Sequence, residues 1–153
     1  MTRSEKLSNL FCEDYRVIDF LPKAVPETAG DFFGEAERYF LCDKQLQDFC
    51  TKIISIVLKV LCYYPFDIYV EEYVPFVNKR EGWLKDKSCE MIIRLLKKVI
   101  LKKRGQIDIL LGTENSIISI SGGALSVAVY HESDSLRELL DHLVKTEGLY
   151  YWK

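Results

Sequence analysis

Sequence motifs for catalysis, nucleotide binding and metal binding are missing from this chain of 153 residues. It contains no GxGxxG, GxxxxGKS/T, GxSxG or CxxC pattern. Such patterns place phosphate-binding backbone, a serine nucleophile or paired thiolates at defined turns. The two histidines belong to none of these motifs. The sequence therefore predicts no catalytic set, no metal site and no cofactor.

Neither a strong excess of one charge nor a long apolar run is present. Lys and Arg number 21 against 23 Asp and Glu, a formal net charge of −2, which is not the balance of a strongly basic nucleic-acid-binding protein. The longest apolar run, residues 53–64, is interrupted by Lys59 and is shorter than the roughly 20 residues of a spanning helix. Residues 1–9 lack the apolar stretch of a signal peptide. We therefore expect a cytoplasmic protein without membrane association.

The five cysteines are odd in number and form no CxxC pair. Cys42, Cys50 and Cys62 lie in or beside the most apolar stretch, so we predict reduced core residues rather than a disulfide framework. Hydrophobic residues make up 48% of the chain and charged residues 29%, which is a globular composition. A chain of this length can bury a sizeable core, and residues 1–153 are predicted to form a single domain.

Hydrophobic periodicity indicates both helices and strands. Apolar residues at steps of three and four are typical of helices, and they occur in residues 43–63, 86–104 and 133–145. Short alternating or continuous apolar runs are typical of strands, and they occur in residues 15–21, 66–71, 107–111, 116–120, 125–130 and, briefly, after Gly148. Residues 32–41 fit a strand and a helix equally well, and residues 72–85 are predicted to be a long loop.

Short turns between the later strands determine the predicted fold class. The turns around residues 112–115 and 121–124 are too short for crossovers, so these strands should form an antiparallel meander. Gly122 and Gly123 are predicted to make a two-residue hairpin turn, and Asp43 to cap the helix that it begins. The predicted fold is α+β, a single domain whose mainly antiparallel sheet, with a C-terminal three-stranded meander, packs against about three helices.

An acidic and aromatic segment is the strongest candidate for a working surface. Asp67, Tyr69 and Glu71 alternate with apolar residues and should share the outward face of one strand. Interfaces favour aromatic anchors with a charged rim, so a basic protein partner is predicted to bind here. The alternative is that the aromatic side chains cover the core and the acids only solubilise the surface. The predicted partner-binding residues are Asp67, Tyr69, Glu71, Glu72, Tyr73, Glu81 and Trp83.

Two histidines support an alternative, in which the chain is a small enzyme. His131 and Glu132 follow the last meander strand, and His142 lies four residues after Glu138 on a predicted helix. An imidazole beside a carboxylate can serve as a general base. A strand-to-helix turn with a cap and a solvated helix face explain the same residues without chemistry.

A basic run supports a second alternative, in which the protein associates with nucleic acid. Residues 94–104 hold six cationic side chains and no acidic one, which suits contact with phosphate backbones. Cations near a helix C-terminus are also favoured by the helix dipole alone, so a solvated helix face remains open. The six residues are Arg94, Lys97, Lys98, Lys102, Lys103 and Arg104.

The two ends of the chain carry a resemblance. One segment is Asp19-Phe20-Leu21-Pro22-Lys23 with Val25-Pro26, and the other is Glu147-Gly148-Leu149-Tyr150-Tyr151-Trp152-Lys153. Together they resemble small uncharacterised bacterial proteins of the toxin-immunity type. That resemblance implies a small acidic α+β protein that binds a toxin domain and neutralises it without an active site. It transfers no functional residue to this chain, and the partner and the oligomeric state stay open.

Overall fold

The strands that the structure describes form one antiparallel sheet. The computed structural model describes residues 2–12, 14–72, 80–112 and 115–153, apart from the side chains of Arg3, Ser4 and Arg80. The strands are β1 (Tyr15–Asp19), β2 (Phe66–Glu72), β3 (Arg80–Trp83), β4 (Gln106–Leu111), β5 (Ser116–Ser121), β6 (Ser126–Tyr130) and β7 (Tyr150–Trp152). Among the described residues they lie in the order β3-β2-β4-β5-β6-β1-β7, and each neighbouring pair is antiparallel.

Helices lie on both faces of this sheet, but unequally. The described part of the chain contains five α-helices: α1 (Arg3–Leu10), α2 (Asp31–Phe40), α3 (Asp43–Leu61), α4 (Cys89–Lys102) and α5 (Asp134–Thr146). Helices α3, α4 and α5 pack together on one face, here called the helix face. Helix α1 lies against β5 on the opposite face, here called the α1 face. None of the described helices is long and apolar enough to cross a bilayer.

Side-chain alternation along the central strands builds the main core. Ile107, Ile109 and Leu111 of β4 point to the helix face and are at most 1% exposed, because successive strand residues point to opposite faces. They belong to one buried cluster with Leu96 of α4 and Leu140 of α5. Burying one such side chain contributes roughly 1.5–3 kcal/mol. This layer of strand and helix residues is therefore the main source of stability.

The predicted α+β class is confirmed, while several details of the prediction are wrong. About three helices were expected, but α1 and α2 also form, and residues 32–41 lie largely in α2. Helix α2 has no buried residue, although its apolar side chains repeat at helical spacing. The strands β4, β5 and β6 are consecutive neighbours, but β2 and β1 flank them, so the meander is the centre of a wider sheet.

Residues 72–85 were predicted to be a loop, and this is wrong for their last part. Residues Arg80–Trp83 form β3, which pairs with β2 from Tyr69↔Trp83 to Glu72↔Arg80. A strand of four residues containing Gly82 has too little alternation to be recognised. Strand β3 is stabilised by its hydrogen bonds to β2, which its own sequence pattern does not indicate.

The cysteines also differ from the prediction. All five are free, but Cys42, Cys62 and Cys89 are exposed, Cys12 is half-buried, and only Cys50 is buried. Burial raises the pKa of the Cys50 thiol, because a thiolate is poorly solvated in an apolar cluster. Cysteine therefore contributes one residue to the main core.

Serine caps begin two of the core helices, whereas the predicted aspartate cap is wrong. Ser88 and Ser133 accept hydrogen bonds from the first-turn amides of α4 and α5, as good N-caps do. Cys42 occupies the N-cap position of α3 and makes no side-chain capping bond. Asp43 itself lies inside the first turn with φ of 36°. The connection between α2 and α3 is so short that the chain turns at Asp43 itself.

The Gly122-Gly123 turn is longer and more tightly packed than predicted. Residues 122–125 separate β5 from β6, and of the two glycines only Gly123 has a positive φ, of 85°. Gly122 packs against the connection between α4 and β4, where its N–H donates to the Gly105 carbonyl at 2.9 Å. A Cβ at position 122 would lie 2.2 Å from the Arg104 nitrogen. Glycine is required here for close approach of two backbones rather than for a two-residue turn.

Replacing Gly122 by alanine should destabilise the protein by about 3 kcal/mol, because backbone rather than a flexible side chain occupies the space. Urea denaturation monitored by circular dichroism measures this as a lower midpoint. Gly34→Ala is the matched control, since an added Cβ in α2 meets no described atom within 4 Å. That variant should be slightly more stable than wild type, by about 0.5–1 kcal/mol. Equal effects of the two substitutions would contradict the packing described for Gly122.

Candidate protein-binding surface

The register of the strands places the predicted acidic and aromatic residues together. Asp67, Tyr69 and Glu71 alternate with Ile68, whose side chain is buried on the helix face. All three therefore lie on the α1 face. In the neighbouring strand β3, Trp83 lies opposite Tyr69 and Glu81 lies opposite Glu71. The structure thus brings five of the predicted residues onto one corner of the sheet.

One row of side chains crosses the whole α1 face. Each member is the antiparallel partner of the next, so all of them point to the same side. The row begins with two aromatic residues, passes over small and polar residues, and ends with a third aromatic residue. In order it is Trp83, Tyr69, Asp108, Ser119, Ala128, Val17 and Trp152.

Tyr69 and Trp83 form an aromatic pair at one end of this row. Their ring centroids are 5.3 Å apart and their planes are inclined by 72°, an edge-to-face geometry that contributes about 0.5–1.5 kcal/mol beyond burial. Both rings are half-buried and pack against the small cluster that Leu7 of α1 forms with the sheet. Part of each ring covers this cluster, as the sequence-based alternative predicted, and part remains at the surface.

Carboxylates concentrate beside the aromatic pair. Glu71 is the direct partner of Glu81 in β3 and of Gln106 in β4. Like charges at paired positions of a sheet cost stability, and they create a negative potential that attracts cations. Asp67, near the far end of β2, lies 3.4 Å from Lys87 Nζ. Glu71 and Glu81 are therefore adjacent carboxylates beside the aromatic pair.

Asp108 is a buried acid that sequence reasoning did not identify as functional. It is 2% exposed and accepts hydrogen bonds from Ser119 Oγ at 2.7 Å and from Gln106 Nε2 at 2.9 Å. Burial raises the pKa of Asp108 despite these hydrogen bonds, and the nearby Glu71 raises it further. The one signal in the sequence was an acidic residue inside the apolar run of β4. Asp108 could be identified from the sequence only by working out which face of the sheet it occupies.

A trough lies along the row, next to Asp108. Its floor is made of small side chains, including Ser119 and Ala128, and its wall is aromatic, with Tyr130 contacting Phe11 at 5.1 Å and Tyr15 at 5.2 Å between centroids. The space measures about 490 Å³, within the range of ordinary binding pockets. The trough forms because these strand positions carry small side chains on the α1 face, whereas the same strands carry isoleucine and valine on the helix face.

Two predicted partner-binding residues do not join this surface. Glu72 points to the helix face, where its carboxylate lies 2.8 Å from Lys98 Nζ of α4. Tyr73 lies outside the described residues. The surface formed by Asp67, Tyr69, Glu71, Glu81 and Trp83 is hereafter the acidic–aromatic surface.

His131 and Glu132 line one pocket, and His142 is not part of its lining. His142 is exposed on α5. His131 is exposed in the turn before α5, and its carbonyl accepts a 2.6 Å hydrogen bond from Ser116. The Glu132 carboxylate accepts hydrogen bonds from Arg137 and from the Tyr151 hydroxyl. Among the described residues, no group of three or more His, Cys, Asp and Glu side chains is arranged to hold a metal ion.

The basic run belongs mainly to α4 and is partly neutralised. Arg94 lies 3.2 Å from Glu90, and Lys98 lies 2.8 Å from Glu72. Lys97 and Lys102 are exposed on the same helix. The surface of α4 is therefore a mixed rather than a continuous cationic stripe.

Comparison of the chain with protein-family models, with curated proteins and with solved structures gives no significant match. A functional assignment consequently depends on the geometry and charge of the surfaces described above.

The raised pKa of Asp108 gives a defined pH dependence of stability. The folded protein binds this proton more tightly than the unfolded chain, whose carboxyl titrates near 3.8. The contribution of Asp108 to the free energy of unfolding therefore falls as pH rises above the unfolded-state pKa, and levels off above the folded-state pKa. Asp108→Asn removes this loss. Its free energy of unfolding relative to wild type should increase between about pH 4 and pH 7.

Urea denaturation at several pH values between these limits tests the prediction. Ser126→Ala is the control, because it also removes a polar group from the α1 face but takes away no titrating group. That variant should keep the pH dependence of the wild type. A constant difference between Asp108→Asn and wild type at all pH values would contradict the raised pKa.

Proposed function

We infer that the protein is a non-enzymatic protein-binding module whose acidic–aromatic surface binds a basic protein domain. The observation that carries this proposal is the register of β2 with β3, which sets Tyr69 beside Trp83 and Glu71 beside Glu81. Aromatic anchors next to a charged rim are the combination that dominates the energy of protein interfaces.

The aromatic pair is suited to act as the anchor of such an interface. Tyr69 and Trp83 are held by the cluster beneath α1, so their rings lose little conformational entropy when a partner covers them. The exposed part of each ring supplies apolar area for a partner to cover. An anchor that is already ordered contributes mainly to slow dissociation.

The carboxylates favour a partner of opposite charge. Glu71 and Glu81 lie at paired positions, and the buried Asp108 lies opposite Tyr69 in the next strand. A lysine or arginine of the partner placed over this corner would be attracted to these carboxylates. Complementary charge also accelerates encounter, and this effect weakens as ionic strength rises.

The trough extends the proposed interface across the sheet. It continues the same row of side chains from Asp108 to Val17 and offers a concavity of about 490 Å³. A loop of the partner with one apolar side chain could fill it while its basic residues meet the carboxylates. Insertion of a side chain into such a pocket is the usual form of an interface hot spot.

The more specific proposal is an immunity protein that neutralises a bacterial toxin domain in the cytoplasm. It is supported by the resemblance of the two terminal segments and by an acidic surface that suits a basic toxin domain. Blocking a toxin requires affinity and rapid binding rather than catalytic groups. The toxin's identity is sought first among the products of neighbouring genes.

Tyr69→Ala combined with Glu71→Gln should weaken binding of that toxin domain by about 30-fold or more, since loss of an aromatic anchor costs at least about 2 kcal/mol. Isothermal titration calorimetry gives the dissociation constant, and growth of cells co-expressing toxin and protein gives the protective activity. Both should fall together, and the wild-type association rate should decrease with added salt.

A matched control replaces an aromatic residue and a glutamate on the other side of the molecule. Tyr63 is 69% exposed after α3, and Glu90 is exposed on α4, so Tyr63→Ala with Glu90→Gln should leave affinity and protection unchanged. Equal losses in both double variants would contradict the proposed surface. Oligonucleotide binding that is lost in Lys97→Gln with Lys102→Gln would instead assign the function to the basic run of α4.

A further inference from the structure

A second pocket lies away from the acidic–aromatic surface, where β1 and β6 meet the turn before α5. It measures about 490 Å³. Cationic side chains are more numerous here than acidic ones, in contrast to the α1 face. The charged lining residues are the cations Arg16, Arg137 and Lys153 and the acids Asp14 and Glu132, and Tyr15 and Val129 also line the pocket.

Glu132 holds two arginines at one point of this pocket. Its Oε1 atom is 2.9 Å from Arg137 Nε and 3.4 Å from Arg16 Nε. The Glu132 side chain is only 8% exposed, so the carboxylate is fixed below the two guanidinium groups. Because both contacts use the Nε atoms, they leave the terminal nitrogens of each guanidinium free of this carboxylate.

The position of Arg16 is set by stacking as well as by charge. Its guanidinium carbon lies 4.9 Å from the centre of the Tyr151 ring, a cation–π contact. The Tyr151 hydroxyl donates to the other oxygen of Glu132, which satisfies that side of the carboxylate. Arg16 Nε is buried and has no hydrogen-bond partner among the described residues, although Glu132 is within ion-pair distance. Arg16 is therefore preorganised but incompletely hydrogen-bonded.

Charge in the pocket favours an anion. Arg16 and Arg137 together carry two positive charges against the single carboxylate of Glu132, and Lys153 is paired with Asp14. The hydrogen bond and the charge of Glu132 raise the pKa of Arg137, so the second guanidinium stays charged. One net positive charge remains, presented by two planar groups that match the geometry of carboxylate and phosphate oxygens.

We propose that this pocket binds a small organic oxyanion, a phosphate monoester or a carboxylate, between the guanidinium groups of Arg16 and Arg137. The terminal N–H groups of both arginines donate to the oxyanion, and Glu132 acts as a positioning residue beneath them. The volume exceeds that of the anionic group alone, so the ligand has an organic body. That body lies near Tyr15 and Val129, which supply the aromatic and aliphatic parts of the lining.

This site does not use the acidic–aromatic surface, although Tyr15 lines both this pocket and the trough. Arg16 and Tyr151 pair with Val129 and Ile18 in the sheet and point to the helix face, whereas Tyr69 and Glu71 point to the α1 face. Substitutions at Arg137 therefore leave the acidic–aromatic surface intact. Failure of either proposal leaves the other unaffected.

Titration of the full chain with phenyl phosphate, benzoate and phenol tests the proposal and separates the two oxyanion classes. Proton–nitrogen NMR spectra that include the arginine Nε–H signals report binding at each guanidinium. We expect phenyl phosphate or benzoate to bind with a dissociation constant of about 1 mM or lower, with shifts at the Arg16 and Arg137 Nε–H groups, and phenol to cause none. Absence of binding by both anions at this concentration would overturn the proposal.

Variants of Arg137 distinguish a built site from general attraction of anions. Arg137 is 46% exposed, so it can be changed without loss of the fold, which the spectrum itself verifies. Arg137→Gln should weaken binding by about tenfold or more, and Arg137→Lys should also weaken it, because an ammonium group keeps the charge but lacks the planar pair of donors. Arg38→Gln, which removes an exposed arginine of α2, should change nothing. Equal weakening by Arg38→Gln and Arg137→Gln would overturn the proposal.

Discussion

The antiparallel register of the seven-stranded sheet is the constraint on which the two faces of this protein depend. A strand side chain points to one face or the other by its position, so a shift of one residue would exchange the apolar and polar sets. Ile107, Ile109 and Leu111 are buried under α3, α4 and α5, and this burial holds the register in place. The same register then forces Asp108 and its neighbours onto the α1 face. The core and the candidate surface are therefore two consequences of one pairing.

Two carboxylates inside this framework show how the environment separates the roles of chemically similar groups. Asp108 is surrounded by neutral donors, Ser119 and Gln106, so burial dominates and its pKa is raised. Glu132 is similarly enclosed but accepts contacts from two guanidinium groups, so it orders cations instead. The first lies beneath the surface proposed to bind a basic partner, and the second lies beneath the pocket proposed to bind an anion.

Sequence patterns predicted the elements that are long and periodic, and failed where the stabilising contact lies outside the element. Helix α3, the strands β4 to β6 and helix α5 all have apolar periodicity of their own, and each was placed within a few residues of its observed bounds. Strand β3 has no apolar periodicity of its own. It is stabilised by hydrogen bonds to β2. Asp43 was expected to cap α3, but the short connection from α2 places it inside the first turn. In both cases a neighbouring element overrides the local signal.

The candidate site divides in the same way. That Asp67, Tyr69 and Glu71 share one face of β2 follows from the sequence alone, because alternation is a local property of an extended chain. The folded arrangement sets the remaining neighbours: Trp83 and Glu81 lie opposite these residues, Glu72 turns to Lys98 on the helix face, and Asp108 lies beside Tyr69. It likewise brings Arg16 and Arg137, 121 positions apart by their numbers, together at Glu132. Contacts between distant segments follow from strand pairing and helix packing, and no local pattern in the chain encodes which strands become neighbours.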